Sequence, residues 1–389
     1  MANLINRRSL LKRGVFLTGG FTILPGIFNQ TEARPFFQQP ARNRSFFNSD
    51  QIAFETTPPD IKARLLANEN PFGPSEKAKK AIQEALSTCY QYPIDGMRAL
   101  EQKITESEGL NKGQVLLAAG SSPLLLAATL SSLKGTVITA ALTYEDVPSH
   151  AAFLGAKVIR VPMTPEYTYD LDAIEKQVDS STSLVYICNP NNPSGTIVDN
   201  AKLKAFCERV SKITTVFVDE AYIDYLPDPQ GTTLIENVKK GQNLIVARTF
   251  SKLYGFAGLR VGYVIAQPEM ISKLNMYTIG PFGMSATSLN AAIAAYKEQD
   301  YLQEALKKTL ASRQYLYDVL KAEGYTYIPS STNFVLFPIK MKGERFVDEM
   351  MKRGVGIRSW YYNNQDYCRV SIGRMDEMQA FAAAFKELS

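Results

Sequence analysis

From residue 110 onwards the chain is built of short, uninterrupted apolar runs. Each is closed by a small or polar residue and separated from the next by a helical stretch. The runs cover residues 115–118, 136–140, 157–161, 184–188, 215–218, 244–247 and 261–266. The runs are continuous and not alternating, as expected for strands buried on both faces. Their alternation with helices predicts an α/β fold around a mostly parallel sheet, here of seven strands. Such a sheet binds ligands beyond the carboxyl ends of its strands. The polar residues that carry chemistry fall there. Ser121 and Ser122 follow one run, Tyr144 another, Asn189 to Asn192 a third, Asp219 a fourth, and Thr249 to Lys252 a fifth.

After residue 285 the pattern changes. A helical stretch over 286–323 leads to an apolar run at 333–337 and a helix near 344–353. Strand-like segments follow at 355–358 and 367–372, and a last helix starts near Asp376. This predicts a smaller α+β domain over 286–389, beside a large domain over 73–285.

Composition removes several function classes. At 389 residues and 45% hydrophobic content the chain can bury a large core. The net charge is +5, and much of the excess lies near the N-terminus, at Arg7, Arg8, Lys12, Arg13, Arg34, Arg42 and Arg44. No basic stripe with interleaved aromatics is present, which argues against nucleic-acid binding. The single histidine, His150, excludes a multi-histidine metal site and leaves a serine triad one candidate base. The cysteines, Cys89, Cys188, Cys207 and Cys368, form no CxxC pair. Cys188 and Cys368 lie in apolar runs and read as buried thiols.

Each candidate residue has a plain reading beside a chemical one. Asp219 closes a buried run, and an unpaired buried carboxylate costs several kcal/mol. It needs a cation, either a nearby Arg or Lys or a protonated ring nitrogen. Lys252 follows Thr249-Phe250-Ser251, with Gly255, Gly258 and Arg260 after it. It is a solvated lysine or a Schiff-base nucleophile. The neighbouring hydroxyls and arginine suit a phosphate. Gly120-Ser121-Ser122-Pro123 opens a helix, and helix N-termini hold anions; an ordinary N-cap has the same composition. Asn189-Pro190-Asn191-Asn192-Pro193-Ser194-Gly195 is a turn whose amides can meet a phenolic oxygen.

Taken together, Asn-Pro-Asn-Asn-Pro-Ser-Gly, Val-Asp-Glu-Ala-Tyr and Thr-Phe-Ser-Lys with Ala-Gly-Leu-Arg-Val-Gly-Tyr resemble the class I/II aminotransferases of pyridoxal phosphate fold type I. The resemblance is closest to histidinol-phosphate aminotransferases. Asn68-Glu69-Asn70-Pro71-Phe72-Gly73-Pro74, Tyr92-Pro93, Arg358 and Arg369-Val370-Ser371-Ile372-Gly373 extend it over nearly all of residues 60–389. It implies pyridoxal 5′-phosphate as cofactor, and an amino donor and a 2-oxo acid as substrates. Lys252 would hold the cofactor and move the proton, Asp219 would keep its ring nitrogen protonated, and Asn192 and Tyr222 would bond its phenolate oxygen. Tyr144 would stack on the ring. Ser121, Ser122, Thr249, Ser251 and Arg260 would bind the phosphate, joined by Tyr92 from a second subunit, which implies a homodimer. Arg369, assisted by Arg358, would bind the substrate's anionic group.

The chain departs from the family at three points. Pro123 stands where an acidic residue is common, Phe72 where a tyrosine is common, and Trp360-Tyr361-Tyr362 where the family is less aromatic. Phe72 and the aromatic run lie on the substrate side. Decarboxylases and carbon–sulfur lyases share this fold and residue set, and a non-catalytic exported binding protein would keep the fold.

The N-terminus carries an address. Arg7-Arg8-Ser9-Leu10-Leu11-Lys12 precedes an apolar stretch of about 15 residues, shorter than the ~20 that span a membrane. The string resembles a twin-arginine export signal, expected over residues 1–33 and implying that export machinery as a partner and a periplasmic or secreted protein. Residues 34–72, with the pairs Phe36-Phe37 and Phe46-Phe47, read as an extended arm.

Overall fold

The computed structural model describes residues 60–389. The expected export signal and the arm up to residue 59 lie outside the described residues.

β1 (Ala63–Arg64) opens the described chain. Next come β2 (Val115–Ala118), β3 (Thr136–Ala140), β4 (Val158–Val161), β5 (Thr182–Cys188), β6 (Thr215–Asp219), β7 (Leu244–Thr249) and β8 (Gly262–Ile265). These seven form one sheet in the order β2-β8-β7-β6-β5-β3-β4. β4, β3, β5, β6 and β7 pair in parallel, whereas β8 runs against both β2 and β7. The sheet is therefore mostly parallel, as the continuous apolar runs predict. Successive side chains enter different cores. Val216 and Val218 join one hydrophobic cluster, and Phe217 joins the cluster on the other face. Helix Asn200–Val210 brings Leu203 and Phe206 to the first cluster, and helix Ser122–Ser131 brings Leu124 and Leu125 to the second.

The predicted helix over 286–323 is two helices, Ala286–Ala295 and Gln299–Ala322. The chain turns at Tyr296, with ψ 117°, and at Lys297, with φ 59°. Both residues reach the buried Glu108: Tyr296 donates to Oε1 at 2.8 Å, and Lys297 Nζ lies 3.1 Å from it. The second helix places Leu302 and Ala305 in the main cluster and Leu316 and Leu320 in a separate C-terminal one.

That C-terminal core lies against β9 (Phe334–Pro338), β11 (Arg358–Tyr362) and β12 (Gln365–Ser371), an antiparallel sheet in the order β11-β12-β9. The short strand β10 (Val355–Gly356) pairs in parallel with β1, which brings Ala63 and Leu65 into the same core. β11 runs on through Trp360 to Tyr362, beyond the strand-like segment ending at 358. Asn363 and Asn364, at φ 48° and 59°, then make a two-residue hairpin turn. A turn of this hand needs positive φ at both central residues, and asparagine tolerates it better than other side chains with a Cβ. The turn sets the register that places Arg358 directly opposite Arg369.

Candidate active site

The carboxyl edge of the large sheet gathers the residues singled out above. β6 ends at Asp219, β7 leads into Ser251 and Lys252, and β5 leads into Asn189 to Gly195, with both Asn189-Pro190 and Asn192-Pro193 peptides cis. Because β8 is antiparallel, Arg260, two residues before its start, reaches the same edge.

One corner of this edge is an anion cradle. Ser121 caps helix Ser122–Ser131 without a side-chain bond to it, which leaves its hydroxyl and the Ser122 amide for a ligand, while the Ser122 hydroxyl bonds to the Asp146 carboxyl. Arg260, at φ 53°, donates through Nη1 to Ser251 Oγ at 3.2 Å and to the Ala257 carbonyl at 2.9 Å. Its guanidinium lies over Gly120, where any Cβ would collide with it. Thr249 has a local role. Its hydroxyl donates to the Val261 carbonyl at 3.3 Å and accepts from the Ser251 N–H at 3.1 Å, so it shapes the loop that presents Ser251.

The centre holds Lys252, Asp219, Tyr222 and Asn192. Lys252 is partly buried, and its Nζ donates to the Asn68 carbonyl at 3.3 Å and lies 5.3 Å from the Tyr222 ring centre. Burial, then the charge of Arg369, pushes its pKa down to about 8, so a larger neutral fraction is available near neutral pH than for a free lysine. Asp219 is 2% exposed. It accepts from the Ala221 N–H at 3.1 Å and the Tyr186 hydroxyl at 3.2 Å and makes no ion pair among the described residues. Burial raises its pKa to about 6. Tyr222, edge-on to Phe334, accepts from Asn68 Nδ2 at 3.0 Å and Asn192 Nδ2 at 3.3 Å. Tyr144 donates to Asp146 Oδ2 at 2.9 Å.

The facing wall is the β11–β12 hairpin. Arg369 is buried. Nη1 donates to Asn192 Oδ1 at 2.7 Å and Nη2 to the Leu66 carbonyl at 2.9 Å, while Nε has no partner among the described residues. Burial pushes its pKa down to about 9. The Trp360 ring covers the guanidinium at 4.4 Å. Like charges directly opposite across two strands repel, and Arg358 opposite Arg369 is such a pair unless an anion joins them. The aromatic run alternates as a strand must. Trp360 lies on Arg369, Tyr361 is exposed and donates to Asn364, and Tyr362 accepts from the Met163 N–H at 3.1 Å.

Two sequence candidates stand apart. Tyr92 is 84% exposed. Phe72 packs against the main core under Lys308 Nζ, 5.5 Å from its ring, with no ring contact to either arginine. Sequence reasoning missed the roles of Asn68, which bonds to Tyr222 and Lys252, of Tyr186, which bonds to Asp219, and of Asn333 and Ser371, which bond to Asn68 from far along the chain. The Asn-Glu-Asn string marked Asn68 as unusual without indicating its role.

The profile of the class I and II aminotransferases matches residues 60–385. The chain belongs to that family. A histidinol-phosphate aminotransferase of Idiomarina loihiensis is 36% identical over 328 residues, which is 84% of this chain and 89% of that protein. One from Brevibacillus brevis is 34% identical over 84% of this chain and 90% of its own length. The crystal structure of histidinol-phosphate aminotransferase from Sinorhizobium meliloti, in complex with pyridoxal 5′-phosphate, has a TM-score of 0.77 at 30% identity, covering 85% of this chain and 92% of that one. The aminotransferase's cofactor is pyridoxal 5′-phosphate, and the residues here fit it. The Gly120–Arg260 corner suits a phosphate, and the buried, cation-free Asp219 suits a protonated ring nitrogen.

Proposed function

We propose that this aminotransferase works outside the cytoplasm on an amino acid with an apolar or aromatic side chain, with a 2-oxo acid as acceptor. The carrying observation is the arginine pair: Arg358 opposite Arg369, with a buried, unpartnered Nε on Arg369 and the Trp360 face against its guanidinium. A carboxylate supplies the missing anion, and Trp360 offers the adjoining apolar wall.

The remaining assignments rest on the family resemblance, and the positions described above support most of them. Ser121, Ser122, Ser251 and Arg260 hold the cofactor phosphate, with Thr249 shaping the loop. Asp219 keeps the ring nitrogen protonated, Asn192 and Tyr222 bond the ring oxygen, and Tyr144 covers the ring. The bound cofactor supplies a sink for the electron pair left on the substrate α-carbon. Lys252 binds the cofactor covalently and carries the proton to and from that carbon. Tyr92 completes the phosphate site of a second subunit in a homodimer. Its exposure beside exposed Leu86, Tyr90 and Ile94 supports that reading.

Comparing kcat/KM for phenylalanine, tyrosine and leucine with that for histidinol phosphate tests the substrate. The Trp360 ring, 4.4 Å from the Arg369 guanidinium, gives an apolar or aromatic side chain a face to pack on beside the bound carboxylate. We expect the amino acids to lead by about tenfold or more. A tenfold lead for histidinol phosphate, the substrate in the relatives' names, overturns this choice and leaves the family assignment intact. The same assays, scored for released carbon dioxide or thiol, separate transamination from the lyase and decarboxylase reactions of this fold.

Export rests on residues 1–33, outside the described residues. The test is a variant with Arg7 and Arg8 both replaced by lysine. It is expected to stay in the cytoplasm while the parent chain is exported with its cofactor; equal export of both would refute the twin-arginine reading.

A further inference from the structure

Asn68 joins the two sides of the site. It is 2% exposed and lies at φ 54°, a left-handed conformation open to asparagine and aspartate but strained for most side chains. Its N–H donates to Ser371 Oγ at 2.8 Å, and the Ser371 hydroxyl donates back to its Oδ1 at 2.9 Å. This exchange leaves the amide one orientation, with Nδ2 donating to the Tyr222 oxygen at 3.0 Å. Its carbonyl accepts from Lys252 Nζ at 3.3 Å and from Asn333 Nδ2 at 3.0 Å.

A second amide acts on the same phenol in the same sense. Arg369 donates to Asn192 Oδ1, which turns Asn192 Nδ2 towards Tyr222. A phenol oxygen has two lone pairs and one hydrogen. Both lone pairs are taken, so Tyr222 keeps only its hydrogen to offer, and no described residue accepts it. Burial holds the phenol protonated far above neutral pH.

We propose that Asn68 is a positioning residue: locked by Ser371, its amide presets the Tyr222 phenol as a hydrogen-bond donor to the cofactor oxygen. This deepens the proposed function and rests on the assignment of Tyr222 to that oxygen. The strand carrying Ser371 also carries Arg369, so the substrate-binding arginine and the lock on Tyr222 move together. The charged and titratable groups acting on this phenol are Lys252, Asp219, Arg369, Arg358, Tyr144, Tyr225 and the Cys188 thiol.

The test is a pH titration of the visible absorbance of the loaded, substrate-free enzyme. Asn68→Asp keeps the shape and the left-handed backbone, but a carboxylate only accepts, so it takes the Tyr222 hydrogen away from the cofactor. The midpoint is expected to rise by about one unit, tenfold in proton affinity, because the ring oxygen loses a donor. The added charge pushes the same way, so the variant is repeated in a Tyr222→Phe background, where at least half of the rise should vanish. Ser371→Ala adds no charge and should raise the midpoint by a smaller amount.

An unmoved midpoint in Asn68→Asp overturns the proposal. So does an undiminished rise in the Tyr222→Phe background, which would mean that the carboxylate acts by charge alone. Should Asn68→Asp fail to fold, Ser371→Ala decides: a midpoint unchanged from the parent overturns the proposal. A parent enzyme with no visible band at all would instead overturn the assignment of Lys252.

Discussion

Lys252→Ala will abolish turnover and the visible band that arises from covalent attachment of the cofactor, while the cofactor still binds through its phosphate. The two effects separate because the parts are separate. The proposed phosphate corner comprises Ser121, Ser122, Ser251 and Arg260, whereas Lys252 Nζ bonds to the Asn68 carbonyl beside Tyr222. On the proposed assignment, removing the amine removes the covalent attachment and the group that carries the proton. Loss of the proton transfer alone is worth about 10²- to 10⁴-fold. Its pKa, pushed down to about 8 chiefly by burial, gives the parent lysine the neutral fraction this work needs. The measurements are single-turnover kinetics, the visible spectrum and borohydride fixation of cofactor to the chain. Cofactor still fixed by borohydride in the variant would count against Lys252 as the attachment point.

Arg248→Ala will destabilise the protein by about 3–5 kcal/mol, because it strands a buried carboxylate. Glu220 is 1% exposed and takes a 2.7 Å bond from Arg248 Nε, with further bonds from the Thr233 hydroxyl at 2.8 Å and the Leu234 N–H at 2.7 Å. Asp224 lies 3.9 Å from Arg248 Nη1. These residues directly adjoin the site: Glu220 follows Asp219, and Arg248 precedes Thr249. Replacing both partners by apolar residues, as in Arg248→Met with Glu220→Leu, should recover much of the loss, since a buried ion pair exchanged for apolar packing is often neutral. Urea unfolding of the cofactor-free protein reads both effects. A single-variant loss below about 1 kcal/mol, within the range of exposed pairs, would show that Glu220 does not depend on Arg248.

Much of this protein was legible because the signals were local. Most strands of the large sheet are apolar runs, the edge strand β4 with its exposed Arg160 excepted, and Asp219, Lys252, Ser121 and Ser122 lie at or within a few residues of a strand's end. The hairpin turn at Asn363 and Asn364 was also local, yet the aromatic run before it obscured the strand.

What only the tertiary structure decided has no local signature. An apolar run carries no direction, so nothing in residues 262–265 marks β8 as the strand that runs backwards, although this brings Arg260 to the site. Tyr296 and Lys297 suit a helix; Glu108, 188 positions before Tyr296, holds the break there. Asn68 read as one residue of a motif, and its lock, Ser371, lies 303 positions away. Sequence by itself determined which elements form and which residues stand at their ends, because both depend on neighbours along the chain. The direction of Tyr222's hydrogen, the pairing of Arg358 with Arg369 and the burial that shifts Lys252 and Asp219 arise where distant segments exclude water together, and only the folded chain sets them.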